Sequence, residues 1–139
     1  MLPSKDYFSV FNLSKTFDIN LTDLKTKFYD LSKKHHPDLS KYSTNKFQEI
    51  NNAYNTLKDD YLRAKYMKGK TTGEVSKTFL IDILDLEDQI REAEGDSLEE
   101  LSEIIRHKIE ECRNNYQKDD YLAKWAYYRR LENMIKKKR

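Results

Sequence analysis

LTDLKTKFYDLSKKHHPDLSKYSTNKFQEINNAYNTL, residues 21–57, carries two apolar stripes of helical period with a proline between them. In the first, Leu21, Leu24, Phe28 and Leu31 recur at i, i+3, i+7 and i+10 and form one side of a helix, with Asn20 as a good N-cap. Lys25, Lys33 and Lys34 then face outward. The helix must stop near His35, because Pro37 disfavours the α region for the residue before it. In the second, which the sequence starts at Ser43 or Thr44, Phe47, Ile50, Ala53, Tyr54 and Leu57 share a face. Matching length and matching stripes make the two an antiparallel pair, with His36-Pro37-Asp38 in the joint.

Working outward, Tyr7, Phe8 and Phe11 give a short helix beginning near Ser4 or Lys5 an apolar side to bury. Asp59 or Asp60 can cap a fourth helix carrying Leu62, Ala64, Tyr66 and Met67. Lys68-Gly69-Lys70-Thr71-Thr72-Gly73 breaks the pattern, so the expected domains are 1–70 and 71–139. Three further helical patterns follow, at roughly 75–94, 97–116 and 118–137. Gly95-Asp96-Ser97 and Gln117-Lys118-Asp119 separate them, and Ser97 with Glu100 fits a capping box. Short loops make neighbouring helices antiparallel, so the second half is expected to be a three-helix bundle. The tail Lys136-Lys137-Lys138-Arg139 reads as a solvated or frayed terminus.

The composition agrees with an all-α chain. Charged residues are 36% and apolar ones 37% of the 139, with 3 Gly and 2 Pro, which leaves little material for the turns of a sheet. Lys and Arg number 26 against 24 Asp and Glu, and a net charge of +2 gives no support to general nucleic-acid binding. The single Cys112 cannot close an internal disulfide or build a cluster site, which points to a reducing compartment and to no cofactor. No run approaches the length needed to span a bilayer, so no membrane is expected as partner. The first six residues are too short and mixed for a signal peptide.

His36-Pro37-Asp38 admits several chemistries. Adjacent His35 and His36 point in different directions and no third ligand sits at supporting spacing with Asp38, so no metal site is expected. A base formed by His36 and Asp38 lacks a nucleophile, a Gly-rich loop or a second carboxylate pair, so no catalytic residue is assigned and the chain is read as a non-enzyme. Pro37 is expected to stiffen the loop and to hold His36 and Asp38 at a fixed place beside the helix end. Lys25, Lys33 and Lys34, taken singly, suit a solvated helix face. His107 reads as a structural or surface residue.

The helix over 75–94 has more apolar side chains than one stripe uses. Phe79, Ile83, Leu86 and Ile90 suffice for a three-helix core. Leu80, Ile81 and Leu84 lie off that stripe beside Asp85, Asp88 and Arg91, the composition of a protein-docking surface. They equally suit packing against a sister helix or the first domain.

The helical pair with His36-Pro37-Asp38 at its joint, followed by Asp60-Tyr61-Leu62-Arg63-Ala64-Lys65-Tyr66, resembles the J domain. Asp6-Tyr7-Phe8-Ser9-Val10-Phe11-Asn12-Leu13 with Thr16-Phe17-Asp18-Ile19, and Phe79-Leu80-Ile81-Asp82-Ile83-Leu84-Asp85-Leu86, resemble the opening and the scaffold-binding helix of the HscB family. The likeness spans nearly the whole chain. It implies an L-shaped pairing of a J domain with a three-helix bundle. His36, Pro37 and Asp38, with Lys25, Lys33 and Lys34, would engage a DnaK-type chaperone and stimulate its ATPase. Asp30 stands where many general J domains carry a basic residue, which favours a dedicated chaperone. Leu80, Ile81, Leu84, Asp85, Asp88 and Tyr127 would bind an IscU-type iron-sulfur scaffold, with Tyr128 and Trp125 close enough in sequence for a register slip at Tyr127. The implied compartment is the mitochondrial matrix or a mitosome, alternatively the bacterial cytoplasm, and weak self-association is compatible with the bundle. A general J-domain co-chaperone with another client is the alternative reading.

Overall fold

The computed structural model describes residues 6–36, 38, 41–69, 73–118 and 120–139, with backbone alone for 41–43. Seven helices and no strand occur among them: α1 (Tyr7–Val10), α2 (Leu21–Lys34), α3 (Lys41–Leu57), α4 (Asp60–Lys68), α5 (Lys77–Glu92), α6 (Asp96–Asn114) and α7 (Tyr121–Lys138). They fall into two compact units, Met1–Met67 and Lys68–Arg139.

In the first unit α2 and α3 form the hairpin, and α1 packs on α3. The core is Phe8, Phe11, Leu24, Ile50, Ala53 and Leu57, with Phe28, Leu31, Tyr54, Tyr66 and Met67 packed around it. Phe28 and Tyr54 stack across the hairpin with ring centroids 4.0 Å apart. Asn20 caps α2 by accepting from the Asp23 N–H at 3.0 Å, and α2 ends on His35. Asp59 caps α4 through the Leu62 N–H at 3.0 Å.

Two expectations for this unit change. Leu21, placed on the core stripe, is 48% exposed. It is the first residue of α2, and the buried stripe begins one turn later at Leu24. Helix α3 starts at Lys41, before Ser43. The expected start of α1 at Ser4 or Lys5 lies outside the described residues. Asp6 caps the helix that is described, accepting from the Phe8 N–H.

Arg63, by contrast, is one of two buried charged residues among those described. Its Nη1 donates to the Leu57 carbonyl and its Nη2 to Asp60, both at 2.7 Å, while the guanidinium lies 4.6 Å from the centre of the Phe17 ring. One cation thus satisfies the end of α3, the start of α4 and the loop before α2.

The second unit is built on α7, which packs against both α5 and α6. Ile83, Ile90, Leu98, Leu101, Ile105, Cys112, Leu122, Trp125, Tyr128, Leu131 and Ile135 are buried there. The capping box at Ser97 and Glu100 does not form. Helix α6 begins a residue earlier with Gly95 at its cap, and the Ser97 hydroxyl turns back to Glu94, donating to its carbonyl at 2.8 Å and accepting from its N–H at 3.0 Å. The basic tail is not frayed either. Lys138 Nζ donates to the carbonyls of Ile90, Arg91 and Ala93 at 2.7–2.8 Å, closing the C-terminal end of α5, and Arg139 reaches Glu99 at 2.8 Å.

Candidate functional site

The joint of the first unit presents its two polar side chains to solvent. His36 and Asp38 have side chains 55% and 92% exposed. The Asp38 N–H donates to His36 Nδ1 at 3.3 Å, which in the neutral ring places the proton on Nε2, and the Asp38 carboxylate lies 3.4 Å from the same Nδ1. Either protonation state of the imidazole therefore finds a partner in Asp38. The imidazole leans on Phe47 of α3, with centroids 5.8 Å apart. Periodicity assigned Phe47 to the core only. Its edge-of-core position makes it also the wall behind His36, a role visible only once the hairpin is closed. Pro37 lies outside the described residues.

Lys25, Lys33 and Lys34 are exposed on α2, and the last two stand in its final turn, where they complement the helix dipole. Lys25 Nζ lies 5.9 Å from the Tyr29 ring centre. Tyr29 is 52% exposed, so Leu21, Lys25, Tyr29 and Lys33 form an i, i+4 row of alternating apolar and basic groups on the outward side. The spacing of Tyr29 from Lys25 and Lys33 is readable in the sequence, although Tyr29 lies off the apolar stripe that predicted the helix. Asp30 is exposed and rims an open hollow of about 230 Å³ between α1 and α2, lined also by Val10, Phe11, Asn12, Lys27 and Leu31.

The second surface lies on α5. Ile83 and Ile90 are buried, whereas Leu80, Ile81 and Leu84 are 36%, 58% and 59% exposed, with Asp85 and Asp88 exposed among them. At 100° per residue Leu80, Leu84, Asp88, Ile81 and Asp85 fall in one sector that borders the buried stripe at Leu80 and turns away from it towards Asp85. Intra-helix pairs order the acids: Gln89 donates to Asp85 at 3.1 Å and Arg91 to Asp88 at 2.9 Å.

On α7 the neighbouring aromatics separate by burial. Trp125 and Tyr128 are 3% and 8% exposed, and Tyr127 is half-buried. Phe79 meets both tyrosines edge-on, at 5.8 Å for Tyr127 and 5.5 Å for Tyr128. Tyr127 thus reaches α5 through Phe79, the residue before Leu80. A residue the sequence did not single out is Glu87, a 9% exposed carboxylate on the buried side of α5, paired with Arg130 of α7 and with Arg91 at 3.6 Å.

Among the described residues no group of three or more His, Cys, Asp and Glu side chains is placed to hold a metal, and no helix is long and apolar enough to cross a membrane.

A family model described as the DnaJ domain matches residues 6–66, from the Asp6 cap of α1 to Tyr66 of α4. Hairpin, joint and family model together define a J-domain protein. The iron-sulfur cluster co-chaperone protein HscB of Homo sapiens is 27% identical over 164 residues, which cover 99% of this chain and 70% of the human protein. The crystal structure of human HscB matches with a TM-score of 0.86 at 25% identity, over 99% of this chain and 84% of that one. The DnaJ chaperone of Rickettsia felis is 43% identical, but over 65 residues that cover 45% of this chain and 17% of its own. Along nearly its whole length the chain resembles the HscB-type J-domain co-chaperones.

Proposed function

We propose that the chain is a non-enzymatic adaptor of iron-sulfur cluster biogenesis, which binds an IscU-type scaffold protein and delivers it to a DnaK-type chaperone whose ATPase it stimulates. The observation that carries the reading is the outward sector of α5. Leu80, Ile81 and Leu84 are solvent-exposed on a helix whose opposite side already supplies the bundle core, and a soluble helix gains nothing from three exposed aliphatics unless something covers them.

The first domain, 1–70, presents His36, Pro37 and Asp38 with Lys25, Lys33 and Lys34 to the chaperone. The second, 71–139, presents Leu80, Ile81, Leu84, Asp85, Asp88 and Tyr127 to the scaffold. A chain holding both raises the effective concentration of one partner near the other without any new contact between them. The basic residues on α2 speed encounter with an acidic chaperone face, and a proline in the joint sequence limits the freedom lost on docking. That the human relative aligns over 99% of the chain, while the Rickettsia DnaJ aligns over 45% of it, supports a dedicated client over a general one. The same mammalian kinship favours a mitochondrial matrix or mitosome over a bacterial cytoplasm, which cell fractionation tests.

The deciding experiment is the single-turnover ATPase rate of the organism's own DnaK-type chaperone with the IscU-type scaffold, adding wild type, His36→Gln or Leu80→Ala/Leu84→Ala. Synergistic stimulation, lost in His36→Gln and accompanied by weakened scaffold binding in the double variant, is the expected result. Stimulation that ignores the scaffold would leave a J-domain protein with another client, and none at all would overturn the reading.

A further inference from the structure

We propose that Glu87 and Arg130 are positioning residues for partner docking: their ion pair pins the ring of Tyr127 at the edge of the α5 patch. The inference rests on the reading of α5 as the scaffold-docking helix.

Glu87 occupies the inward row of α5 between Ile83 and Ile90, where a carboxylate is costly unless it is paired. It is paired twice, to Arg91 one turn along its own helix and to Arg130 across the seam on α7. Replacing such a pair by well-packed apolar side chains is often neutral or stabilising, so bundle stability alone is a weak reason for it. Its directional consequence is more specific. Arg130 stands one turn beyond Tyr127 on α7, and with its guanidinium anchored on Glu87 its Cζ lies 5.6 Å from the Tyr127 ring centre. The same ring meets Phe79 edge-on. A half-buried tyrosine at a seam would otherwise exchange rotamers. Held by Phe79 and Arg130, it meets a partner already ordered, and the ordering cost is removed from the docking step. Arg130 keeps 55% of its side chain exposed, so the anchor stands at the patch edge.

The test measures affinity of the full chain for the IscU-type scaffold by calorimetry, alongside the tyrosine ring resonances of the free chain. The variants are Arg130→Met, Arg130→Lys, Glu87→Gln, Tyr127→Ala and Arg130→Met/Tyr127→Ala. Arg130→Met is expected to weaken binding roughly three- to tenfold, the range of a lost cation-π contact with its coupling. It should shift the Tyr127 resonances, lower the helical melt because Glu87 loses a partner while the chain stays folded at the assay temperature, and cost nothing further in binding when combined with Tyr127→Ala. Arg130→Lys, which keeps the charge without the planar fork, should recover part of the loss. If Arg130→Met costs as much in the Tyr127→Ala background as it does in wild type, or if the Arg130→Met chain binds as wild type, the proposal is overturned while the docking reading stands. Should Glu87→Gln fail to fold, Arg130→Met carries the test, since its side chain is largely solvated. A wild-type chain that does not bind the scaffold sinks both.

Discussion

The Tyr66 hydroxyl on α4 donates a 2.5 Å hydrogen bond to the carboxylate of Asp6, the residue that caps α1. The same oxygen accepts from the Tyr7 N–H at 2.9 Å, and the rings of Tyr7 and Tyr66 stack with centroids 4.7 Å apart. The first and last helices of the J domain are thus fastened through one phenol, which carries no chaperone contact in the proposed mechanism and acts on stability alone.

Tyr66→Phe keeps the stack and removes the bond, and a hydrogen bond to an ionised acceptor contributes about 1.5–3 kcal/mol, the lower figure applying to this partly exposed site. Urea unfolding of the variant should show a loss near that lower value. The pH dependence has a definite sign. Burial first, then the bond to Asp6, raises the Tyr66 pKa above its ordinary 10.0. The folded chain therefore holds the proton where the unfolded chain has lost it, so the contribution is complete below about pH 10 and is lost as pH rises through the folded value. Wild type should weaken faster than Tyr66→Phe in that alkaline range, and parallel curves would contradict the assignment.

In the bundle the same sign applies to two groups. Burial, assisted by Glu111, pushes the Cys112 thiol from 9.0 up to about 11, and burial, assisted by Cys112, pushes Tyr128 from 10.0 up to about 12. Stability is full below about pH 9 and is lost upward through these values, first from the thiol and then from the phenol. Cys112→Ala should delay the onset of alkaline destabilisation towards about pH 10. Because thiolate is the reactive form and Cys112 is 1% exposed, iodoacetamide at about pH 8 should label the unfolded chain and spare the native one. Native labelling at the unfolded rate would refute the burial argument.

The helices were legible because their signals are local. Asn20, Asp59 and the period of Phe8, Leu24, Ile50, Leu57, Ile83 and Ile90 each declare a cap or a buried face within a few residues. What escaped depends on groups distant in sequence. Lys138 closes α5 across 45–48 positions, and Glu87 meets Arg130 across 43. Nothing in the immediate sequence of a lysine-rich tail separates a helix cap from a solvated end. For the candidate sites, the spacing of Leu80, Ile81 and Leu84 predicted their common outward face, whereas the supports of His36 and Tyr127 emerged only from packing.

Gly73 makes a pair of substitutions informative. Both Gly69 and Gly73 have positive φ, +97° and +86°. A Cβ at Gly69 meets nothing within 4 Å, but one at Gly73 would lie 2.8 Å from the Asp120 N and 2.9 Å from its Cα, in a segment where Asp120 also accepts from the Glu74 N–H. Gly69→Ala should therefore cost about 1 kcal/mol for backbone conformation alone, and Gly73→Ala about 3 kcal/mol with the clash added. Equal costs in denaturant melts would mean that Asp120 yields easily.

Arg63→Leu removes the cation that serves the Leu57 carbonyl and Asp60 together. Breaking a buried pair costs about 3–5 kcal/mol, and the 31% exposure of the Asp60 side chain places this site at or below the lower end. Arg63→Lys should restore less than half, since an ammonium cannot span both acceptors in one plane. Thermal unfolding of the two variants checks the ranking, and a lysine as good as arginine would show that only the charge matters.

Phe47 tests whether the joint works by presentation. If the ring of Phe47 fixes His36 at 5.8 Å, Phe47→Ala leaves the imidazole chemically intact but free to wander, and misplacement alone should reduce stimulation of the chaperone's ATPase by roughly tenfold. Phe47→Leu, which keeps an apolar wall, should lose less. The decisive variant is His36→Gln/Phe47→Ala. With the imidazole already gone the wall has nothing to hold, so the double variant should be no worse than His36→Gln. Single-turnover ATPase rates, read beside circular-dichroism melts that report the Ile50 and Leu57 core, separate loss of presentation from loss of fold. Multiplying defects would show that Phe47 meets the chaperone itself.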